Sequence, residues 1–355
     1  MNTVGYVCSF VGSEAACGTQ MAMIERYCQQ YDIACDKFFC DLQEHKRTNE
    51  NAEKMRAVGY EHAFRSERYF PAYDQMLCEI SKGNIKKILV DTLGRLKACR
   101  YIGEFFEHLC TYHKVEVIEV CGQLEGQCET EFPKVALYRF TDKSDKRPRV
   151  YTKSIDAMYE FVSQQKCWGT PFLYQDYSLK KSEHKEYEKF KNNAAAYGTL
   201  LTTDFYHIDD KLCTFFKEIS ELRDMGVVVE SMKEGVVKRT AEDFLKKDLK
   251  VAIYDCWLDN SDKALELERL KVFVKYKTSW KIANIFVEDG KVEKDGEQKQ
   301  LQNLKANASN YDAILVRRFN TFHWRTSMFF KIMKQLNVPV FSMKEGGIYL
   351  EKPRS

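Results

Sequence analysis

The sequence predicts an α/β protein of three tandem modules, each a mainly parallel four-stranded sheet flanked by helices. The first observation is a duplicated stretch. Residues 197–235 and 311–346 both begin with Tyr, both carry Phe-Phe-Lys and both end in Ser-Met-Lys-Glu-Gly. The second is a repeated opening, since Lys134 and Lys250 each start a Lys-Val-Ala-x-Tyr run that is followed by a Ser-Asp-Lys triplet. Two independent coincidences at similar spacing indicate a repeated unit of about 100 residues.

The first module, residues 1–122, alternates short apolar runs with amphipathic segments. Four runs have the length of buried strands: 4–10, 35–41, 85–90 and 115–120. Helical spacing covers 14–31, starts again at Pro71 and recurs in a segment that carries Leu109. Strands alternating with such helices favour a parallel sheet with right-handed crossovers. The polar stretch at about 42–69 is too long for an ordinary connection, so it is interpreted as an insertion.

The second and third modules, residues 133–235 and 250–347, repeat the same order of strands and helices. The second strand of each module is predicted to end in an aspartate: Asp41, Asp176 and Asp289. The fourth helix of each module carries a Phe-Phe pair, interpreted as packing of that helix on its sheet: Phe105-Phe106, Phe215-Phe216 and Phe329-Phe330. Residues 236–249 are predicted to be a linker with a short helix.

Length and composition are typical of a soluble globular chain. The 355 residues are 44% hydrophobic and 30% charged, and the net charge of +3 is too small for a general polyanion-binding protein. The N-terminus lacks a signal-peptide pattern and no apolar run reaches the length of a membrane span, so a cytoplasmic protein without membrane contact is predicted. The 13 cysteines lack CxxC spacings and are interpreted as reduced thiols. We therefore predict no metal and no cofactor.

Five segments of the first module follow one another in an order that points to a family. They are a strand ending at Ser9, a helix led by Gln20, a strand ending at Asp41, a helix opening with Pro71-Ala72-Tyr73-Asp74, and a strand running into Asp91-Thr92-Leu93-Gly94-Arg95. In this order they resemble the catalytic domain of the serine recombinases, the resolvase and invertase family, over about residues 3–120. The other two modules look like more diverged copies, so the resemblance implies three tandem resolvase-like modules.

In that family a serine hydroxyl attacks a DNA phosphodiester, and arginines stabilise the charge on the phosphate. The resemblance implies that Ser9 is the nucleophile and that Asp91 and Arg95 remain from a phosphate-binding motif. Three further arginines that the resemblance leads us to expect are replaced, by Val7, Phe70 and Thr92. Because each such loss lowers the rate by about 100-fold or more, these catalytic residues are interpreted as vestigial.

Other arginines provide alternatives. Arg65 or Arg68 in the insertion could substitute for the missing phosphate ligands, although an exposed basic loop is the simpler interpretation. The second module keeps Arg139 and Thr141 where the family has Arg-x-Ser. Three arginines follow the third strand of the third module, where open α/β sheets bind ligands, and indicate a modest anion site or plain surface charge: Arg317, Arg318 and Arg325.

Three functional hypotheses follow. The main one is a catalytically impaired recombinase-like protein that acts in DNA recombination or in a mobile-element context as a binding or regulatory factor, with DNA, a recombinase or another protein as partner. The first alternative is an active site-specific recombinase that uses Ser9 to form a 5′-phosphoserine link. The second alternative is an α/β protein that binds a small anionic ligand. The long dimerisation helix of the recombinases is not evident in the sequence, which slightly favours a monomer.

Overall fold

The computed structural model describes residues 2–43, 45–46, 68–98, 103–121, 135–142, 148–165, 168–178, 184–241, 244, 247–257, 263–277, 279–289 and 298–353. The chain divides into two compact units, Met1–Leu201 and Thr202–Ser355. It has a mixed α/β fold with a parallel four-stranded sheet, a larger mixed sheet and surrounding helices. The boundary between the units falls inside the predicted second module, and the predicted module limits stay predictions.

The N-terminal half of the first unit contains the parallel four-stranded sheet. Its described elements are β1 Thr3–Cys8, α1 Glu14–Gln30, β2 Lys37–Asp41, β3 His45–Lys46, β4 Arg68–Tyr69, α2 Pro71–Ser81, β5 Lys87–Val90, α3 Leu93–Ala98, α4 Gly103–His113 and β6 Glu116–Glu119. The sheet order is β2-β1-β5-β6, and β1 is wholly buried. Apolar side chains of β1 pack with those of α2 and α4 into one core. Most of the predicted insertion at 42–69 lies outside the described residues.

The C-terminal half of the first unit adds a second parallel set of strands. Its elements are β7 Val135–Asp142, α5 Pro148–Gln164, β8 Phe172–Ser178, α6 Lys185–Asn192 and β9 Thr199–Thr202. β7 lies between β8 and β9 and runs parallel to both. Helix α5 begins at Pro148, since a proline suits the first turn of a helix. It packs on α1 and α3 of the N-terminal half.

The second unit is built on a mixed sheet. Its elements are α7 Leu212–Asp224, β10 Val228–Ser231, β11 Gly235–Arg239, β12 Leu249–Trp257, α8 Lys263–Tyr276, β13 Trp280–Asp289, α9 Lys299–Asn307, β14 Ala313–Val316, α10 Thr326–Leu336, β15 Val340–Ser342 and β16 Gly346–Glu351. The strand order is β13-β12-β14-β15-β16-β11-β10. The first four strands in this order are parallel, whereas β16, β11 and β10 pair antiparallel with their neighbours.

Strands β11 and β16 correct the prediction of mainly parallel four-stranded sheets. Each follows a Ser-Met-Lys-Glu-Gly turn and pairs back on the strand before it, so the last predicted strand of each copy continues as a hairpin. The two new strands then pair with each other, from Val236 opposite Glu351 to Arg239 opposite Ile348. The predicted linker at 236–249 therefore begins as a strand. The sequence pattern does not predict this strand, because its apolar run consists only of Val236 and Val237.

The Phe-Phe pairs of α7 and α10 join the two halves of the duplicated stretch. Phe216 lies 4.9 Å from Phe319 and Phe330 lies 4.8 Å from Phe205, measured between ring centroids. These two contacts are equivalent under the duplication, and Phe216 also meets Phe330 at 6.3 Å. The prediction that the pairs serve helix-to-sheet packing is therefore incomplete, because they also form an approximately two-fold symmetric contact between helices. The side chain of Phe105 lies outside the described residues.

An acidic residue at the end of a strand caps the next helix in three places. Asp41, Asp176 and Glu288 accept hydrogen bonds from the first backbone amides of α2, α6 and α9 at 2.5 to 3.0 Å. A tyrosine hydroxyl on the neighbouring strand donates to each of the first two caps: Tyr6 and Tyr138. The third strand ends at Asp289 as predicted, but the residue that caps α9 is the one before it, Glu288. A carboxylate near the positive end of a helix stabilises that helix. In the β12–β13 pair, a bulge between Val251 and Ala252 shifts the pairing register.

Two searches of the described residues bear on membranes and metals. None of the helices there combines the length and the apolar character that crossing a bilayer requires. No group of three metal-ligating side chains was found in the same part of the chain. The predicted cytoplasmic location stays a prediction.

Candidate functional site

Ser9 and Asp91 lie where the resemblance places them, directly after two adjacent parallel strands. Ser9 follows β1 and Asp91 follows β5, so both lie at the carboxyl edge of the N-terminal sheet. The Ser9 backbone amide donates to the carbonyl of Asp41 at 2.8 Å, and its hydroxyl oxygen accepts from the amide of Ser13 at 3.0 Å. Ser9 is fully buried. Its hydroxyl therefore helps to shape the turn into α1.

Arg95 is brought to the same edge by α3, but its guanidinium is enclosed by protein groups. Nε donates to the carboxylate of Asp91, while Nη1 donates to the carbonyl of Cys8 and to Oδ1 of Asp156, each at 2.6 Å. The other oxygen of Asp156 accepts from the amide of Phe10 at 2.9 Å. Helix α5, which supplies Asp156, thus closes the site by binding both the arginine and the chain directly after Ser9.

Tyr159, one turn further along α5, completes this cluster. Its hydroxyl donates to Oδ2 of Asp91 at 3.0 Å, and its ring centroid lies 5.7 Å from the Arg95 guanidinium carbon. Asp156 and Tyr159 are missed at the sequence level, because they belong to a helix distant in the chain. The signal in the sequence was their spacing of three residues, which places both polar side chains on one face of α5.

The cluster holds two carboxylates against one guanidinium, and all three groups are fully buried. Burial raises the pKa of Asp156, with Asp91 acting in the same direction and Arg95 opposing both. Burial alone lowers the pKa of Arg95, but Asp156 and Asp91 outweigh it and hold that pKa above its usual value. Arg95 therefore stays cationic, and its single positive charge faces the two carboxyl groups of Asp91 and Asp156.

The corresponding residues of the second module are also buried. Arg139 and Thr141 lie on β7, and Nη1 of Arg139 donates to the hydroxyl of Ser154 on α5. Arg65 and the side chain of Arg68 lie outside the described residues. The interpretation of Ser9, Asp91 and Arg95 as a catalytic vestige stays a prediction.

The second candidate site lies in the second unit, at the duplicated Ser-Met-Lys-Glu-Gly turns. In the first turn the Ser231 hydroxyl oxygen accepts from the amides of Lys233 and Glu234 at 3.2 and 3.1 Å. In the second turn Ser342 does the same for Lys344 and Glu345, at 3.0 Å each. Each serine hydroxyl also contacts the glutamate carboxylate of its own turn. The two turns therefore have the same construction.

The charges around the two turns differ at two adjacent positions, because Arg317 and Arg318 occupy the positions of Thr203 and Asp204. Lys233 forms an ion pair of 2.6 Å with Asp204, the residue directly before the short helix Phe205–His207. In the other copy Arg318 occupies the position of Asp204, directly before the short helix Phe319–Thr321. Lys344 occupies the position of Lys233. Two exposed cations therefore replace an ion pair at the carboxyl ends of β14 and β15.

Arg317 lies between this position and the sheet. Its Nε donates to Oδ1 of Asp255 at 2.7 Å, its Nη2 donates to the carbonyl of Cys256 at 3.1 Å, and 27% of its side chain is exposed. Because the buried Asp255 offsets its charge, Arg317 acts mainly as a fixed hydrogen-bond donor beside Arg318. Arg325 belongs to a different place, the start of α10, where its guanidinium carbon lies 4.8 Å from the Trp324 ring centroid.

Neither the protein-family models nor the curated proteins give a match to this sequence. Two solved structures that match are solute-binding proteins. One is an ABC transporter periplasmic solute binding protein from Actinobacillus succinogenes with bound D-allose, at 13% identity and a TM-score of 0.20, covering 59% of this chain and 78% of that chain. The other is an ABC transporter solute binding protein from Burkholderia multivorans with an unknown ligand described as α-D-erythrofuranose, at 12% identity and a TM-score of 0.20, covering 58% and 75%.

The predicted role in DNA recombination, and with it the prediction of DNA binding, is corrected. The physical reason lies in the site itself. Ser9 and Arg95 are fully buried, and the guanidinium that should hold a phosphate is bound by Asp91 and Asp156. A DNA phosphodiester could reach these groups only if α5 moved away.

Proposed function

We propose that this chain is an α/β protein that binds a small anionic ligand at the carboxyl ends of β14 and β15. The observation that carries the proposal is the charge reversal within a duplicated turn, where Arg318 replaces the equivalent of Asp204 beside Lys344. Two like charges held together by the backbone repel each other, and an anion between them relieves that repulsion. The copy with Asp204 and Lys233, in which the two opposite charges balance, serves as the reference within the same chain.

The chemistry of the surrounding groups fits a compact anion such as inorganic phosphate or a phosphomonoester. Arginine presents a planar fork that matches phosphate oxygens, and lysine adds a flexible point charge. Arg318 and Lys344 are exposed, so an anion can reach them from solvent. The Ser342 hydroxyl donates to the carboxylate of Glu345, and this hydrogen bond weakens the repulsion between that carboxylate and an incoming anion.

Calorimetric titration with inorganic phosphate at constant ionic strength tests the proposal. Arg318→Asp restores the charge pattern of the paired copy and is expected to weaken phosphate binding at least tenfold, and Lys344→Gln is expected to weaken it as well. Lys233→Gln is the matched control, since it removes the equivalent cation of the ion-paired copy and should leave the affinity unchanged. Equal phosphate affinity of Arg318→Asp and the unaltered protein would show that the site is wrongly assigned.

We also propose that the chain consists of three related α/β modules with limits near 1–122, 133–235 and 250–347. The repeated caps on α2, α6 and α9 and the two identical turns support this division. The resemblance of the first module to recombinase catalytic domains is retained only as a proposal about the origin of its fold. Separate expression of residues 1–122 and measurement of a cooperative unfolding transition would test whether the first module folds independently.

A further inference from the structure

Two pairs of cysteines lie between α1 and the segment that forms β2 in the first unit, one pair at each end of the helix. Cys17 lies in the first turns of α1, and its thiol hydrogen-bonds to the carbonyl of Asp41, the residue after Cys40 on β2. Cys28 lies near the end of α1, and Cys35 precedes β2. All four cysteines carry free thiols. The two pairs share the same elements, so one serves as a reference for the other.

The sheet geometry explains why Cys40 faces the helix. On a strand successive side chains point to opposite faces. Phe39 and Asp41 face the core and Tyr6, so Cys40 points to the other face, where its register partner is Val7. The Cys17 sulfur lies 3.9 Å from the carbonyl oxygen of Asp41. The Cys17 thiol therefore lies against the backbone of β2, beside the strand position of Cys40.

The two thiols differ in their exposure to solvent. Cys40 is exposed, whereas Cys17 is only 3% exposed. The Cys17 thiol lowers the pKa of Cys40, although burial, Asp41 and Glu14 oppose this effect. In the other pair burial raises the pKa of Cys28 to about 11 and also raises that of Cys35. An exposed thiol of lowered pKa next to a buried thiol is the arrangement that peroxide-reactive cysteine pairs require.

We infer that Cys40 and Cys17 form a hydroperoxide-oxidised thiol pair, with Cys40 as the attacking thiol and Cys17 as the resolving thiol. The Cys40 thiolate attacks one oxygen of hydrogen peroxide, the O–O bond breaks, and Cys40 becomes a sulfenic acid while hydroxide leaves and takes up a proton as water. Cys17 then loses its proton and attacks the sulfenic sulfur, which forms the disulfide and releases a second water. Two thiols are oxidised and one peroxide is reduced. The product joins α1 covalently to β2.

Peptide mapping after treatment of the full chain with hydrogen peroxide and thiol blocking tests this inference. A Cys17–Cys40 disulfide is expected to form at least tenfold faster than a Cys28–Cys35 disulfide and to revert with dithiothreitol. Cys17→Ala should leave a sulfenic acid on Cys40 that dimedone traps. Cys40→Ser, at an exposed position, should abolish both products, and Cys213→Ser is the control for an exposed cysteine outside the pair.

Two results would overturn the inference. One is oxidation of Cys213 or of the Cys28–Cys35 pair before Cys40. The other is a Cys40 that dimedone labels in the unaltered protein while Cys17 stays a free thiol. Neither result depends on phosphate binding in the second unit, so the two proposals fail independently.

Discussion

Arg95 of α3 donates to Asp156 of α5 across 61 positions of the chain, with 2.6 Å between Nη1 and Oδ1 and both side chains fully buried. The same guanidinium binds Asp91, so one cation balances two carboxylates inside the protein. A buried ion cluster of this kind contributes little net stability compared with apolar packing, but removal of one member is costly. It also ties α5 to the strand ends that precede Ser9 and Asp91.

Replacement of the cation should be the most damaging change in this cluster. Arg95→Met keeps much of the side-chain volume but leaves two buried carboxylates without their counter-charge, so a loss of about 3–5 kcal/mol in the free energy of unfolding is expected. Asp156→Asn is the matched comparison. It removes the surplus negative charge and retains an oxygen that can accept from the Phe10 amide, so its loss should be clearly smaller. Urea unfolding of both variants measures the difference, and equal losses would contradict the charge balance described here.

The raised pKa of Asp156 predicts a specific pH dependence. Folded Asp156 binds its proton more tightly than the unfolded chain does, so the folded state gains stability as the pH falls from neutral into the window between its folded pKa and the unfolded value of about 3.9. This gain is lost again as the pH rises through the folded pKa. Asp156→Asn has no such proton to bind. The unfolding free energy of the unaltered protein minus that of Asp156→Asn should therefore increase as the pH falls from 7 to about 4, and a difference independent of pH would argue against the shift.

The hydroxyl of Tyr159 should contribute measurably because it donates to the buried Asp91 carboxylate. Tyr159→Phe keeps the ring beside Arg95 and removes one hydrogen bond to a charged group, which predicts a loss of about 1.5–3 kcal/mol in unfolding free energy. Tyr112→Phe is the control, since the Tyr112 side chain is 75% exposed, and it should change stability by less than about 0.5 kcal/mol. Identical effects of the two substitutions would indicate that the Tyr159 hydroxyl is not bound as observed.

Local sequence patterns predict those parts of the fold that depend on neighbouring residues. The apolar run that ends at Cys8 and the strand that ends in Asp41 are predicted because periodicity and a terminal carboxylate mark them. Glu288 is missed because two acidic residues, Glu288 and Asp289, stand side by side at the end of the strand, and the sequence does not show which of them faces the helix. Asp156 is missed because its partner depends on how α5 packs on a distant part of the chain. The resemblance therefore singles out Ser9 and Arg95 as candidate site residues, but it does not reveal that α5 covers them.

The two duplicated turns end in glycines whose surroundings differ, which allows a matched test. Gly235 and Gly346 both have positive φ, at +90° and +87°. A Cβ at Gly235 would lie 2.0 Å from the carbonyl oxygen of Glu351, whereas a Cβ at Gly346 has no neighbour within 4 Å. Gly346→Ala should cost only the conformational strain, about 1–2 kcal/mol, since a single residue is forced into the left-handed region.

Gly235→Ala adds a clash with the backbone to the same strain and is expected to cost clearly more than Gly346→Ala. Thermal unfolding of the two variants, measured side by side, separates the contributions. A larger loss for Gly346→Ala would contradict the close approach of Glu351 to Gly235.

The duplication also predicts that a second anion site can be built by one substitution. Asp204→Arg gives the first copy an arginine and a lysine, Arg at position 204 and Lys233, at the positions that Arg318 and Lys344 occupy in the second. The change removes an ion pair whose lysine side chain is 61% exposed, which costs less than about 1 kcal/mol. It also removes the cap that Asp204 provides to the Tyr206 amide, at a cost of about 1 kcal/mol. The variant should therefore still fold, and circular dichroism checks this before any titration.

Calorimetry with inorganic phosphate should then report two sites per chain for Asp204→Arg and one for the unaltered protein. Asp204→Asn is the control, because it removes the same carboxylate without adding a cation and should keep a single site. Adding Arg318→Asp to Asp204→Arg should return the count to one, with the remaining site in the first turn. If Asp204→Arg folds and still binds a single phosphate, the pairing of Arg318 with Lys344 is insufficient to hold an anion, because the same two groups on the same turn would have failed to do so.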